Sequence, residues 1–350
     1  MVHGAAGVHT SSILSTHHPH IMKNRSVLII GANGRLGLAA AQAFAASGWP
    51  VFAQTRKPFV EAMPAQVERI EAGLDQLDAL QRAAAGVAVV VYAVSPLYTD
   101  WSRVLPMARA GMDLAQRLNA TFMLPGSVYN YGEGMPPLLK PDTPQKPTTE
   151  KGRIRCALED EIATRTKEGL RAIVLRAGDF FGGGPGDWID LMIAKSLRSG
   201  KLAYPGPLDV PHAWTYLPDY ARCFVILAER LDKMPAFARF HFPGHTVTGQ
   251  VMLDTIERAA SELYGPRQRP MHRVGMPWWA LRVMGWAVPM WRELAKMSYL
   301  WRVPHALDGG SLSRAVGSVP ATPLAVAVKA TLMRDSEPVT RTSGQTSSAR

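Results

Sequence analysis

The segment VLIIGANGRLGLAAAQAF, residues 27–44, constrains this chain more than any other stretch. A short apolar run, three glycines and an alanine-rich amphipathic stretch read in turn as a buried strand, a tight turn and a helix. Gly31, Gly34 and Gly37 fall where the backbone must turn sharply, approach a ligand without side chains and let helix and strand pack closely. The free N–H groups of the helix start, and the positive end of its dipole, then face the space above the turn and favour a phosphate there.

A glycine triplet alone is a weak signal, but this one opens a series of strand–helix units. PVFAQTR and VERIEA read as the second and third strands, QLDALQRAAAG as a helix and VAVVVYAVS as the fourth strand. A helix over 101–118 leads to ATFMLPGS, and a helix from Thr149 to about Glu168 leads to LRAIVLRAG, the fifth and sixth strands. Buried-type strands alternating with amphipathic helices predict an α/β fold, a Rossmann-type doubly wound parallel sheet. Beyond Gly182, loop-forming stretches such as GGGPG, YPGPLDVPHAW and FPGHTVTG predict a smaller α+β C-terminal region that binds substrate. The expected division is a disordered leader over 1–25, a cofactor domain over 26–180, a substrate region over 181–333 interleaved with the core, and a disordered tail over 334–350.

Composition narrows the function. With 350 residues and 47% hydrophobic content, the chain can bury a large core. A net charge of +11 suits an anionic partner, but the basic residues are scattered and no nucleic-acid-binding motif accompanies them. The only cysteines, Cys156 and Cys223, supply neither a disulfide framework nor metal-ligand spacing, which fits a reducing cytoplasm. His17, His18 and His20 flank Pro19 without a further ligand nearby, so no metal is expected. The N-terminus lacks the apolar core and cleavage site of a signal peptide, and Met22 offers a better natural start. The tryptophan-rich run Met276–Trp301 holds five of the nine tryptophans, but Arg282, Pro289 and Arg292 interrupt it short of a membrane span. It reads as helices over a substrate cleft, or as a surface for a membrane interface or an apolar partner.

The cofactor follows from the end of the second strand. An NAD site usually places an acid there for the ribose hydroxyls, whereas FAQTRK offers Thr55, Arg56 and Lys57. Arg56 can grip a 2′-phosphate in fork geometry, so NADP is preferred over NAD. Gly31, Asn33, Gly34, Arg35, Leu36, Gly37, Thr55, Arg56 and, after the fourth strand, Ala93 are the candidate cofactor contacts.

Four motifs resemble the extended and atypical short-chain dehydrogenases/reductases, the group that includes NAD-dependent epimerases and dehydratases. These are GANGRLG, LPGSVYNYG with Ser127 four residues before Tyr131-Gly132, LRAGDFFGGG, and WTYLPDYARC with Asp219. The resemblance implies that Ser127 hydrogen-bonds the substrate oxygen beside the nicotinamide. It also implies a Tyr-x-x-x-Lys pair followed by a Glu; Glu159 fixes the register and puts Lys151 and Arg155 in those two places. The spacing of four turns both cations to one helix face. Lys-x-x-x-Arg is similar to the isoflavone-reductase-like branch, in which a lysine on this helix acts as the base.

Two roles for Lys151 stay open at this point. It is either an acid–base group whose pKa is pulled down by desolvation beside Arg155, or a cofactor contact in a non-catalytic NADP-binding sensor. Tyr129 and Tyr131 are the remaining acid–base candidates. On the substrate side, the register replaces a family arginine by His212 and a family asparagine by Asp179. An aspartate there would repel a diphosphate, which counts against a sugar-nucleotide epimerase or dehydratase. Tyr129, Asp179, Trp188, His212 and Trp214 are therefore expected to meet a small, partly apolar carbonyl or enone-type substrate. A homodimer is compatible with the sequence.

Overall fold

The computed structural model describes residues 25–336. Residues 1–24, with His17, His18, His20 and Met22, and residues 337–350 lie outside the described residues, and with them most of the expected leader and tail. In chain order the first half holds β1 (Val27–Ile30), α1 (Arg35–Ala46), β2 (Val51–Gln54), β3 (Glu68–Ile70), α2 (Leu77–Ala83), β4 (Val89–Tyr92), α3 (Val104–Arg117), β5 (Thr121–Ser127), β6 (Leu138–Leu139) and α4 (Glu150–Thr166). The second half holds β7 (Arg171–Ala177), β8 (Asp179–Phe181), β9 (Lys201–Tyr204), β10 (Pro211–Tyr216), α5 (Leu217–Ala228), β11 (Phe237–His241), β12 (His245–Thr248) and α6 (Gly249–Tyr264). It closes with β13 (His272–Gly275), α7 (Trp278–Met284), α8 (Pro289–Lys296), β14 (Ala306–Leu307), α9 (Gly310–Val316) and α10 (Leu324–Ser336).

Seven parallel strands form the central sheet in the order β11-β7-β5-β4-β1-β2-β3. The order reverses between β1 and β4, so the crevice above their C-terminal ends is the place where such a sheet binds ligands. Because successive side chains of a strand point to opposite faces, Val27 and Ile29 enter one core with α1 and α5, and Leu28 and Ile30 enter another with α3 and α4. Val89 and Val91, against Val90 and Tyr92, repeat the division on β4. All of these side chains are at most 3% exposed, which explains why the strands read as unbroken apolar runs.

The six strands read from the sequence are all in this sheet. The seventh, β11, comes from beyond residue 180 and pairs with β7, so the later part of the chain returns to the core. The remaining strands form three small sheets, β12-β10-β8, β13-β9 and β14-β6. A third core joins Met252, Leu253 and Ile256 of α6 to Ala327, Val328 and Leu332 of α10 and to Trp214 and Trp301.

Candidate active site

The glycine loop joins β1 to α1. Gly31 has φ +81°, the left-handed region that glycine enters without a Cβ penalty, and Gly34 forms the N-cap of α1. A Cβ on Gly37 would lie 2.3 Å from the Gly31 carbonyl oxygen, so only glycine lets α1 start this close to the turn. Gln54, at the end of β2, accepts from the Gly31 N–H at 3.1 Å and donates to the Ala72 carbonyl, which ties the loop to the sheet. The sequence reading did not single out Gln54; its place as the last residue of the strand beside the loop was the available signal. No acid stands in the first turn of α1 to compete for its N–H groups. Ala93 follows β4, with its carbonyl 3.1 Å from where a Gly31 Cβ would stand.

Asn33 donates to the Pro58 carbonyl at 2.7 Å, while its Oδ1 and the Nη1 of Arg35 are buried without a hydrogen-bond partner. Buried polar atoms are normally satisfied, so these two orphans beside a bare glycine turn fit a polar ligand such as a dinucleotide. Leu36 packs against the α1 core, and Arg35 lies 3.9 Å from Asp187 of the Gly182–Asp187 loop. Asp187 accepts from the N–H groups of Gly182, Ile189 and Asp190, which makes it an anchor for that loop. At the end of β2, Thr55 is buried and bonds within its own turn to Lys57, whereas Arg56 and Lys57 are exposed.

Ser127 ends β5 opposite Ala177 of β7, and its Oγ accepts from the Tyr129 N–H at 3.4 Å. Thr149 caps α4 by accepting from the Gly152 N–H at 3.2 Å. A Cβ on Gly152 would lie 2.4 Å from the Tyr129 carbonyl, so the first turn of α4 is pressed onto the segment after β5. Farther along α4, Glu159 takes Arg176 of β7 in a bidentate pair at 2.9 and 2.6 Å, and also meets Arg239 of β11 at 2.9 Å. Tyr131 belongs to this buried network through Arg176 and, at 2.8 Å, His241. Burial pushes its hydroxyl up to about 12, which makes it a structural group and a poor base.

Lys151, in the first turn of α4, is buried and donates to Glu293 of α8 at 2.5 Å. Its ammonium also lies 4.1 Å from the centre of the Tyr98 ring and 5.3 Å from that of Trp101. Burial pulls its pKa below the ordinary lysine value; Glu293 pushes back, and Lys296 is the cation that adds to the lowering. That corrects the sequence reading, in which Arg155 was the cation responsible. Arg155 instead turns to the Pro125 carbonyl at 3.4 Å and to the Trp101 ring at 5.4 Å, with its Nε left unpartnered. Burial raises the pKa values of Tyr98, Tyr129 and Tyr299, with Asp179 contributing to each, so these phenols stay neutral and wall the site.

Parallel pairing of β8 with β10 brings Asp179 and His212 together, with His212 Nε2 at 2.9 Å from Asp179 Oδ2. The His212 Nδ1 faces the Leu300 carbonyl at 3.3 Å, and the ring stacks on Trp301 at 4.2 Å with an interplanar angle of 1°. Asp179 is thus engaged by His212 rather than left as a bare repelling charge. Trp188 packs edge-on to Trp301 at 4.9 Å and stays half-buried. Trp214 is wholly buried against Phe181 and Trp301, so it is a packing group and not the substrate wall the sequence suggested. Asp219 holds the chain before α10 by accepting from the Thr322 N–H and hydroxyl at 2.6 and 2.8 Å.

Among the described residues no group of His, Cys, Asp and Glu is arranged to hold a metal, and no helix is long and apolar enough to cross a membrane. Residues 27–241 match the sequence model of the NAD dependent epimerase/dehydratase family. The enzyme WbmH of Bordetella bronchiseptica, solved in complex with NAD+, is 17% identical and superposes with a TM-score of 0.68 over 90% of this chain and 99% of its own. UDP-glucose 4-epimerase of Thermotoga maritima, solved with UDP-glucose, is 14% identical, with a TM-score of 0.68 over 88% of this chain and 98% of its own. MoeE5, solved with UDP-glucose and NAD, is 18% identical, with a TM-score of 0.65 over 88% of this chain and 98% of its own. At these identities the likeness is one of fold. No curated protein matches the chain in sequence.

Proposed function

The chain belongs to the NAD-dependent epimerase/dehydratase family, and from that premise we propose an NADP-preferring oxidoreductase acting on a small, partly apolar carbonyl or enone-type substrate. The observation that carries the reading is Lys151. Where the family resemblance leads one to expect a tyrosine, the chain has a buried ammonium held by one carboxylate and two aromatic rings, with its pKa lowered by burial. A lysine whose pKa is lowered by burial gives up and retakes a proton more readily than a solvated one, which suits an acid–base group.

When bound, the nicotinamide supplies or accepts the hydride. The residues of this chain do the rest. Ser127 orients the substrate oxygen by a hydrogen bond, and Lys151 passes a proton from Nζ to that oxygen in the reducing direction. Glu293 holds the ammonium in place and balances its charge while it is protonated. Tyr98, Trp101, Tyr129 and Tyr299 exclude water, which strengthens the electrostatic hold of both groups. Asn33, Arg35 and the bare loop of Gly31, Gly34 and Gly37 receive the pyrophosphate, and Arg56 the 2′-phosphate.

The test is turnover with a panel of carbonyls and enones. NADPH consumption by at least one panel member, lost in Lys151→Ala with NADPH affinity retained, supports the proposal. Equal NADPH binding by both proteins with no turnover by either favours the sensor. A sugar-nucleotide substrate has one observation in its favour, the contact of Asp179 with His212 at 2.9 Å. Turnover of UDP-sugars, and not of the small carbonyls, would replace the proposed substrate class.

A further inference from the structure

Two of the tryptophans in the described residues behave unlike the rest. Trp49, Trp101, Trp214 and Trp301 are at most 9% exposed, whereas Trp279 is 72% and Trp286 95% exposed, with Trp188, Trp278 and Trp291 between the two groups. Trp279 and Trp286 sit on the α7–α8 hairpin together with Val283, Met284 and Met290, which are 67%, 50% and 41% exposed. Folded chains rarely leave so large a contiguous apolar patch in water unless something covers it.

The surroundings say what that partner is. Arg282 follows Trp279 by three residues on α7, so the cation and that tryptophan are neighbours on the helix surface. A depression between the hairpin and the first turn of α4 is lined by Arg153, Arg282, Lys296 and Arg302, with Glu133 and Glu150 as its acids. Lys296 pairs with Glu293 at 2.6 Å and Arg302 with Glu133 at 3.3 Å, while Arg282 reaches only the Ser298 hydroxyl, at 3.5 Å. Arg292 is exposed on α8. Tryptophan and methionine flanked by arginine and lysine are the side chains that settle at the boundary between lipid headgroups and acyl chains. The helices are 7 and 8 residues long, too short to span a bilayer and suited to lying in its surface.

We propose that the α7–α8 hairpin docks this protein on an anionic phospholipid bilayer. Trp279, Val283, Met284, Trp286 and Met290 enter the headgroup region, and Arg282, Arg292 and the cationic depression meet lipid phosphates. Charge selects the bilayer over a second copy of the chain. Two such hairpins would bring like charges face to face, in a protein whose net charge is already +11, whereas an anionic surface complements both.

Co-sedimentation with vesicles tests this, comparing phosphatidylcholine alone with phosphatidylcholine containing about one third phosphatidylglycerol. The expected result is binding to the anionic vesicles, weakened by salt and accompanied by a blue shift of tryptophan emission. The double variant Trp279→Ser/Trp286→Ser should keep the wild-type melting temperature and lose about tenfold or more in vesicle affinity. Arg282→Gln should lose affinity for anionic vesicles in particular. Failure to bind anionic vesicles, or equal affinity for both compositions at every salt concentration, overturns the proposal. So does self-association of the wild type that the double variant abolishes without any vesicle binding, since it assigns the face to a second copy.

Discussion

Lys151 of α4 and Glu293 of α8 are 142 residues apart in sequence and meet at 2.5 Å, their side chains 3% and 15% exposed. Removing the carboxylate leaves a largely buried ammonium without its counter-ion. Glu293→Gln should destabilise the fold by about 2 kcal/mol, less than a fully buried pair because Glu293 keeps some solvent. Lys151→Met combined with Glu293→Gln should recover most of that loss, because neither charge is then stranded. Denaturant titration of both variants and of Lys151→Met closes the cycle. The same change affects chemistry. Glu293 raises the Lys151 pKa against the lowering by burial, so its loss moves that pKa down. If Lys151 donates the proton in reduction, activity falls as pH rises through its pKa, and Glu293→Gln shifts that fall to lower pH. A profile that keeps its position in the variant would remove Lys151 from the proton-donor role.

The proposed preference for NADP rests on Arg56. It is exposed at the end of β2, where no acid stands to receive ribose hydroxyls. A charge-assisted hydrogen bond to a 2′-phosphate contributes about 1.5–3 kcal/mol, so Arg56→Ala should weaken NADPH binding roughly 10- to 100-fold. NADH, which lacks that phosphate, should lose little. Fluorescence titration with both nucleotides checks this, and equal losses would mean that Arg56 does not read the 2′ position.

The parallel sheet was legible because its strands are buried on both faces, so that VLII and VVVY read as apolar runs without alternation. The helix of the second half of the site was legible through its Thr149 cap and Glu159. β11 was not, because it is an edge strand whose Arg239 and His241 serve the Glu159 network and break the apolar pattern. Glu293 could not be found either: nothing local in a tryptophan-rich stretch announces a partner 142 residues away. His212 and Asp179 are each visible in the sequence, but 33 residues separate them and nothing local announces that they meet. Only the pairing of β8 with β10 brings the two side chains to within 2.9 Å of each other.

The glycine loop can be tested by contrast. A Cβ at Gly37 meets backbone atoms of Gly31 and Ala32 at 2.3 and 2.8 Å, and backbone cannot rotate away, so α1 itself must shift. Gly37→Ala should cost about 1–3 kcal/mol and lower NADPH affinity about tenfold, because the N–H groups of the helix start move off the pyrophosphate. Gly48, which follows α1 with φ +74° and open space around its Cβ position, offers the control. Gly48→Ala should cost about 1 kcal/mol through its backbone conformation alone and leave NADPH affinity unchanged. Comparable affinity losses in the two variants would disconnect the close packing of α1 from cofactor binding.

His241 and His305 predict how the fold responds to acid. Burial is the main cause that lowers each from 6.5 to about 4, with the positive Arg176 assisting at His241 and His212 at His305. Both are therefore neutral in the folded protein and protonate readily once the chain unfolds. A folded-state pKa below the unfolded value means stability that is complete above about pH 6.5 and is lost as pH falls toward about 4. A drop of that size corresponds to about 3 kcal/mol for each histidine. Thermal melts from neutral pH downward should show a steep decline between about pH 6.5 and 4 that reflects uptake of about two protons on unfolding. His305→Asn, which keeps a donor for the Val303 carbonyl, and His241→Asn should each reduce that uptake by about one proton even where they lower stability at neutral pH. A decline in the variants as steep as in the wild type would assign the acid sensitivity to the carboxylates instead.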